Sequence, residues 1–414
     1  MKKIVGYFLS FSALVAGMSV NAINDDVMYC RAFEQDLANK PKTLEYIEAS
    51  EYKTNENLKI KETLNIKAKS SVLMDARSKA VLYEDNKDQM LAPASMTKIM
   101  SLLVCMEEVD KGNISLDDNV LISEHAASQE GSECFLDAGK EYNLKELIKS
   151  VCVASANDSV VAIAEHCYGD EKVFAEKMNE KAKSLGMNNT HFKNASGLDE
   201  EGHYTTAYDM CLAISALKKY DLISELSKTW LYDMQHSGGR VTSLTNTNKL
   251  IRKNKNIHLA KTGHTDNAGY CLTAYGVEGD EELIVCVMGE SDSNERFDDV
   301  SKLLAFGFSN YDSQKVVDKN NFVRKVGVKN SKVKDVLVYP KEDIYILKPK
   351  DEGGNVETKV KMYKNVIVAP HSKGDSVGKV EAFYNGQSVG TAEVETRVDI
   401  KEITYLEVVE ELID

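Results

Sequence analysis

Ala92-Pro93-Ala94-Ser95-Met96-Thr97-Lys98-Ile99-Met100 is the stretch on which the reading of this 414-residue chain turns. It runs into the apolar segment Leu102-Leu103-Val104-Cys105-Met106. A buried helix is expected there, with Pro93 at its start, where a missing N–H is no loss. Ser95 then lies in the first turn, and Lys98 follows three residues later on the same face. A serine needs a base to become a nucleophile. A lysine one turn away can serve if burial or neighbouring cations lower its pKa. The Ser95 N–H, free at the helix start, is placed to meet a developing oxyanion.

The S-x-x-K spacing alone is weak. It recurs at Ser50/Lys53, Ser215/Lys218, Ser331/Lys334 and Ser376/Lys379, as a lysine-rich chain produces by chance. Two companions single out Ser95. One is Ser155-Ala156-Asn157, ahead of the apolar positions Val160, Val161, Ile163 and Ala164. There the serine and asparagine either face a cleft or cap the helix, which both residue types do well. The other is Lys261-Thr262-Gly263, within residues 257–290, which alternate and turn like antiparallel strands. A ligand can pair with the backbone of such a strand, and Gly263 allows close approach. Lys261 is otherwise a solvated charge.

The order S-x-x-K, S-x-N, K-T-G is the signature of penicillin-recognising serine enzymes. The flanks narrow the family. They are Gly197-Leu198-Asp199 with His203-Tyr204-Thr205-Thr206-Ala207, Asn246-Thr247-Asn248-Lys249-Leu250, and Lys261-Thr262-Gly263-His264-Thr265 with Ala268-Gly269-Tyr270. Over roughly residues 66–310 the chain resembles the serine-type D-alanyl-D-alanine carboxypeptidases, the low-molecular-weight penicillin-binding proteins. The resemblance implies an α+β fold: a β-lactamase/transpeptidase-like catalytic domain, with an antiparallel sheet flanked by helices, and a small β-rich C-terminal domain. It implies an acyl-enzyme on Ser95, with Lys98 as general base and Ser155 as proton relay, oriented by Asn157 and Lys261. Thr262, Gly263 and His264 would line the substrate strand. Arg296 would bind the substrate's terminal carboxylate, as a guanidinium does bidentately; its other reading is a surface charge. Peptidoglycan stem peptides and β-lactams are the implied partners. A β-lactamase, which shares the three motifs, and a non-catalytic wall-binding module remain open as alternatives.

The rest of the chain frames this reading. Apolar content of 43% and charged content of 28% are those of a globular protein, and 414 residues allow two or more domains. A net charge of −14 argues against nucleic acid or an anionic membrane as partner. Residues 1–22 read as an export signal: Lys2 and Lys3, an apolar stretch from Ile4 to Val20, then Val20-Asn21-Ala22. That places the protein outside the cytoplasmic membrane. Residues 23–65 form a polar extension, residues 66–312 the catalytic domain, and residues 316–414 a β-rich spacer or docking domain. Ser70 to Tyr83 reads as a hairpin, and residues 95 to about 225 as mostly helical. Val173, Phe174, Met178, Ala182 and Leu185 form a core stripe ended by Gly186. The last residues carry Glu407, Glu410, Glu411 and Asp414, which anionic lipid would repel, so C-terminal membrane attachment is in doubt. Of eight cysteines, Cys105, Cys152, Cys271 and Cys286 lie in apolar runs, as buried free thiols do. With no C-x-x-C and no H-E-x-x-H, neither a metal nor a cofactor is expected.

Overall fold

This computed structural model describes residues 64–351 and 353–413, and apolar side chains on both faces of one antiparallel sheet organise the part up to about residue 310. The expected export signal, and the extension up to residue 63, lie outside the described residues. β1 (Ser70–Asp75) and β2 (Val81–Asp85) form the hairpin that the pattern predicts. Asp75 closes its turn by accepting the Ser78 N–H and hydroxyl, both at 2.6 Å. β3 (Ile257–Thr265), β4 (Gly269–Glu278) and β5 (Glu281–Glu290) complete the sheet, in the order β2-β1-β5-β4-β3.

Successive strand residues point to opposite faces, and here both faces are covered. On β5, Ile284, Cys286 and Met288 join the core of the helical layer. Leu283, Val285 and Val287 join a second core under the helix Glu295–Asn310, through its Phe297, Val300, Leu303 and Leu304. The sheet is therefore the middle of three layers, which explains its nearly continuous apolar run.

The helical layer contains α1 (Lys98–Asp110), α2 (Leu144–Ala154), α3 (Asn157–Tyr168), α4 (Glu171–Ser184) and α5 (Ala207–Leu217). We call the helix across the sheet α6 (Glu295–Asn310). Positions Lys98 to Met106 of α1 are all buried, whichever way they point. A helical stretch buried on every side lies inside a core, and Lys98 at its start has no exposed surface. In α4, Phe174, Met178 and Ala182 are buried, Leu185 is half-buried, and Gly186 follows with φ +78°. Val173 departs from the expected stripe: it is 39% exposed, because it precedes Phe174 and turns off the core face.

Beyond α6 the chain is β-rich, as its texture predicts. β6 (Tyr311–Val317) pairs with β9 (Ile344–Pro349). β7 (Arg324–Lys329), β8 (Asp335–Pro340), β10 (Val356–Met362), β11 (Val366–Val368), β12 (Ser376–Tyr384) and β13 (Gln387–Thr396) form a sheet ordered β10-β12-β13-β8-β7-β11. Val326, Val338, Val380, Ala392 and Val394 fill a core of its own. A terminal helix, α7 (Tyr405–Ile413), leaves Tyr405 and Leu406 exposed. No helix among the described residues is long and apolar enough to cross a membrane.

The loop between α4 and α5 crosses the turn that carries Ser95, and the crossing depends on Gly197. Its φ is +85°, and a Cβ there would lie 1.9 Å from the Ala94 carbonyl oxygen. Gly197→Ala should therefore destabilise the protein by roughly 2 kcal/mol or more, from backbone strain plus the clash. Urea unfolding of the two proteins at neutral pH measures this.

Candidate active site

Ser95 lies in a short 3-10 turn, Ala94–Thr97, rather than in the first α-helical turn the sequence suggests; α1 begins at Lys98. The tighter turn still leaves the two side chains together. Lys98 Nζ is 2.9 Å from Ser95 Oγ, 2.7 Å from Asn157 Oδ1 and 2.6 Å from the Ser196 carbonyl oxygen. Two of these contacts are permanent acceptors. A neutral amine spends its two N–H bonds on them, which leaves its lone pair facing the Ser95 hydroxyl. Lys98 is 0% exposed. Burial first, and the nearby Lys261 cation second, push its pKa well below the usual lysine range, against the opposing pull of Asp158 and Glu171.

Ser155 ends α2 in the left-handed region, at φ 64° and ψ 32°. That conformation costs a non-glycine residue about 1 kcal/mol, a strain typical of functional sites. The capping alternative is excluded. Ala156 occupies the N-cap position of α3, and no side chain caps it. Ser155 instead accepts a 2.7 Å hydrogen bond from Lys261 Nζ. Asn157 donates its side-chain N–H to the Glu130 carbonyl and its backbone N–H to that of Ser132. Asp158, buried beneath, accepts the N–H groups of Cys134 and Leu136. The loop over 130–136 is thus tied to the start of α3.

Lys261, Thr262 and Gly263 lie on the edge strand β3, which packs against the Ser95 turn. A Cβ on Gly263 would stand 2.7 Å from the Pro93 carbonyl oxygen, so only glycine permits this approach. Lys261 is 4% exposed and not a solvated charge. Burial lowers its pKa to about 7. Thr262 donates its hydroxyl to Thr247 at 2.8 Å. His264, just beyond, is exposed and stacks on Tyr270. Arg296, in the first turn of α6, is 8% exposed and not a surface charge. Its Nη1 donates to the Gly263 carbonyl at 2.9 Å.

Among the described residues, neither Lys98, Lys261 nor Arg296 makes an ion pair, although each is buried. All nine residues the sequence singles out lie on the Ser95 turn, at the first residue of α1, at the α2–α3 junction, on β3 or in the first turn of α6. Three neighbours carry no role in the sequence reading. Ser196, whose carbonyl is the first, immediately precedes a flank quoted for the family, and Thr247 lies within one, as does the third neighbour, but a flank assigns no contact. The third, His203, is buried, 2.9 Å from Thr97 Oγ1, and burial lowers its pKa to about 4. No group of three or more His, Cys, Asp or Glu among the described residues is placed to hold a metal ion. The seven described cysteines are free thiols, with Cys105, Cys152, Cys271 and Cys286 buried; Cys30 lies outside the described residues.

The lowered pKa of Lys261 has a stability consequence. The folded value, about 7, lies below the ordinary lysine value of 10.5, so the unfolded chain binds the extra proton over that window. The penalty, roughly 4 kcal/mol at pH 7, disappears as pH rises towards 10.5. Lys261→Met should gain stability relative to the native chain at pH 7, and the gap should narrow by pH 9.5. Thermal unfolding at the two pH values measures it.

Comparison with known proteins accords with this geometry. The family described as D-alanyl-D-alanine carboxypeptidase matches residues 56–292. The family described as penicillin-binding protein 5, C-terminal domain, matches residues 311–402. D-alanyl-D-alanine carboxypeptidase DacF of Bacillus subtilis is 42% identical over 340 residues, covering 82% of this chain and 87% of that one. The crystal structure of penicillin-binding protein 5 from Haemophilus influenzae superposes with a TM-score of 0.69 at 30% identity, over 81% of this chain and 98% of that one. Penicillin-binding protein 6B from Escherichia coli gives 0.62 at 25% identity, over 86% and 98%. With a half-buried serine against a buried lysine at its centre, the chain belongs to the D-alanyl-D-alanine carboxypeptidase family of low-molecular-weight penicillin-binding proteins.

Proposed function

We propose that this serine carboxypeptidase removes the terminal D-alanine from peptidoglycan pentapeptide stems through an acyl-enzyme on Ser95, and that β-lactams acylate the same serine. The observation that carries this reading is the buried Lys98 amine, 2.9 Å from Ser95 Oγ, with its other two contacts on fixed carbonyl oxygens.

Ser95 Oγ attacks the carbonyl carbon of the scissile peptide bond, and its proton passes to Lys98. The N–H groups of Ser95 and His264 receive the developing oxyanion. Ser155, bonded to Lys261, relays a proton to the leaving amine as the C–N bond breaks. Asn157 holds Lys98, and Lys261 holds Ser155. Gly263 lets the substrate lie along the strand, while Thr262 and Arg296 hold its terminal carboxylate. Water then attacks the ester and frees Ser95. The β-lactamase and wall-binding alternatives are not favoured, because the matched relatives carry carboxypeptidase names and a penicillin-binding protein 5 C-terminal domain matches as well.

In this reading residues 1–22 direct export and residues 23–65 precede the catalytic domain. Residues 66–312 carry catalysis, and residues 316–414 act as spacer or docking module. The enzyme then works outside the cytoplasmic membrane, without metal or cofactor and without nucleic acid as partner, and α7 leaves membrane attachment open.

Mass spectrometry of purified protein with benzylpenicillin and, separately, with a diacyl-Lys-D-Ala-D-Ala peptide tests the assignment. The expected result is a slowly lost adduct on Ser95 together with D-alanine release, and no adduct on Ser95→Ala. Labelling that persists in Ser95→Ala overturns it. Lys98→Arg, whose guanidinium cannot deprotonate, should lose acylation by roughly a thousand-fold or more.

A further inference from the structure

One aromatic ring touches both side chains at the far end of the substrate strand. In the β3–β4 ladder His264 stands directly opposite Tyr270, and Gly263 directly opposite Cys271. The Tyr270 ring stacks on the His264 imidazole, with centroids 4.1 Å apart and planes 23° apart. The Arg296 guanidinium lies over that same Tyr270 ring, 5.2 Å from its centroid. Arg296 reaches this place from α6, across the edge of the sheet. Its Nη1 bonds the Gly263 carbonyl at 2.9 Å and that of Cys271 at 3.4 Å, while its buried Nε has no partner.

These contacts divide the work of holding Arg296. The two carbonyls fix one nitrogen, Nη1. The Phe297 ring, 4.9 Å away, is its neighbour in the chain and moves with α6. Tyr270 belongs to the sheet, so it is the aromatic contact that fixes the guanidinium plane relative to the strand where the substrate lies. A guanidinium reads a carboxylate through two parallel N–H bonds, and the orientation of that plane decides whether both form. Meanwhile the stack on His264 holds the residue whose backbone N–H is assigned to the oxyanion.

We propose that Tyr270 is a positioning residue that sets the enzyme's selectivity for peptides ending in a free carboxylate, by orienting Arg296 and His264 from a single ring. The proposal rests on the reading of Arg296 as the group that binds the terminal carboxylate. Tyr270 acts through its ring face. Phenylalanine therefore preserves the function, since its ring keeps the quadrupole that attracts the cation and the surface that stacks.

The test compares hydrolysis of diacyl-Lys-D-Ala-D-Ala as the free acid and as its C-terminal amide, in the full chain and in Tyr270→Phe, Tyr270→Leu and Arg296→Gln. The ratio of kcat/KM for acid over amide is the readout, because a merely structural loss lowers both substrates together. Tyr270→Leu should lower the ratio about ten-fold, mainly through KM for the acid, consistent with losing a partly desolvated cation–ring contact. Tyr270→Phe should stay within about two-fold of the native ratio. Stoichiometric labelling by benzylpenicillin at saturation reports that each variant is folded. Where leucine fails that check, Tyr270→Thr, which suits a strand, replaces it. A native ratio in the folded Tyr270→Leu or Tyr270→Thr protein, with a lowered ratio in Arg296→Gln, overturns the proposal and leaves the carboxylate reading standing. A native ratio in Arg296→Gln overturns the carboxylate reading and the proposal with it.

Discussion

The burial of one lysine amine governs the rest of this molecule. Lys98 lies at the start of a helix whose residues up to Met106 are all buried, and it has no exposed surface. An ammonium in that place costs free energy, so the fold favours the neutral amine. The neutral amine needs two acceptors for its N–H bonds, and the fold brings them from distant segments. Asn157 comes from the α2–α3 junction, and the Ser196 carbonyl from the α4–α5 loop. That loop reaches Ser196 only because Gly197 next to it has no side chain to strike Ala94. One electrostatic demand thus ties together three loops and explains a glycine that has no chemistry of its own.

The second motif shows how backbone strain and chemistry meet. Ser155 sits in a left-handed conformation that any residue but glycine adopts at a cost. In exchange, α2 stops sharply and α3 starts two residues later, so Ser155 and Asn157 reach two different buried lysines. A conventional cap at this junction would have spent one of these side chains on the helix end. Lys261 completes the arrangement from the sheet, which links the helical layer to the middle layer through side chains rather than through apolar packing alone.

The sequence made the site more legible than the shape around it. Ser95, Lys98, Ser155, Asn157 and Lys261 are named by motif order, because the chemistry requires those residue types on short, fixed spacings. The meander at 257–290 and the hairpin from Ser70 to Tyr83 are legible because short apolar runs are bounded by turn residues, although burial on both faces leaves these strands no two-residue period. Other features left no such trace. The 3-10 form of the Ser95 turn differs from an α-helical turn by one hydrogen-bond step, which residue types do not reveal. The exposure of Val173 turns on a single helical position at the margin of a stripe. Contacts made by a backbone carbonyl, such as that of Ser196, carry no side-chain signal. Nor does the sharing of the Tyr270 ring, because the register that sets it opposite His264 is a property of the paired strands and not of either segment.

The charges of the site also explain how an acidic protein can select an anion. With a net charge of −14, the long-range field repels a carboxylate, and physiological salt screens that field within about 8 Å. Selection must therefore come from short-range contacts in a poorly solvated place. Three buried basic side chains, Lys98, Lys261 and Arg296, lie in the site, and none has a carboxylate partner among the described residues. They are not equivalent. Lys98 has to be neutral to act as a base. Lys261, with a pKa near 7, stands at the midpoint of its titration. A guanidinium keeps its proton, so Arg296 is the permanent positive charge. In the proposed reading, a carboxylate held by Thr262 and Arg296 would favour the charged form of Lys261, which lies next to Thr262 on the strand.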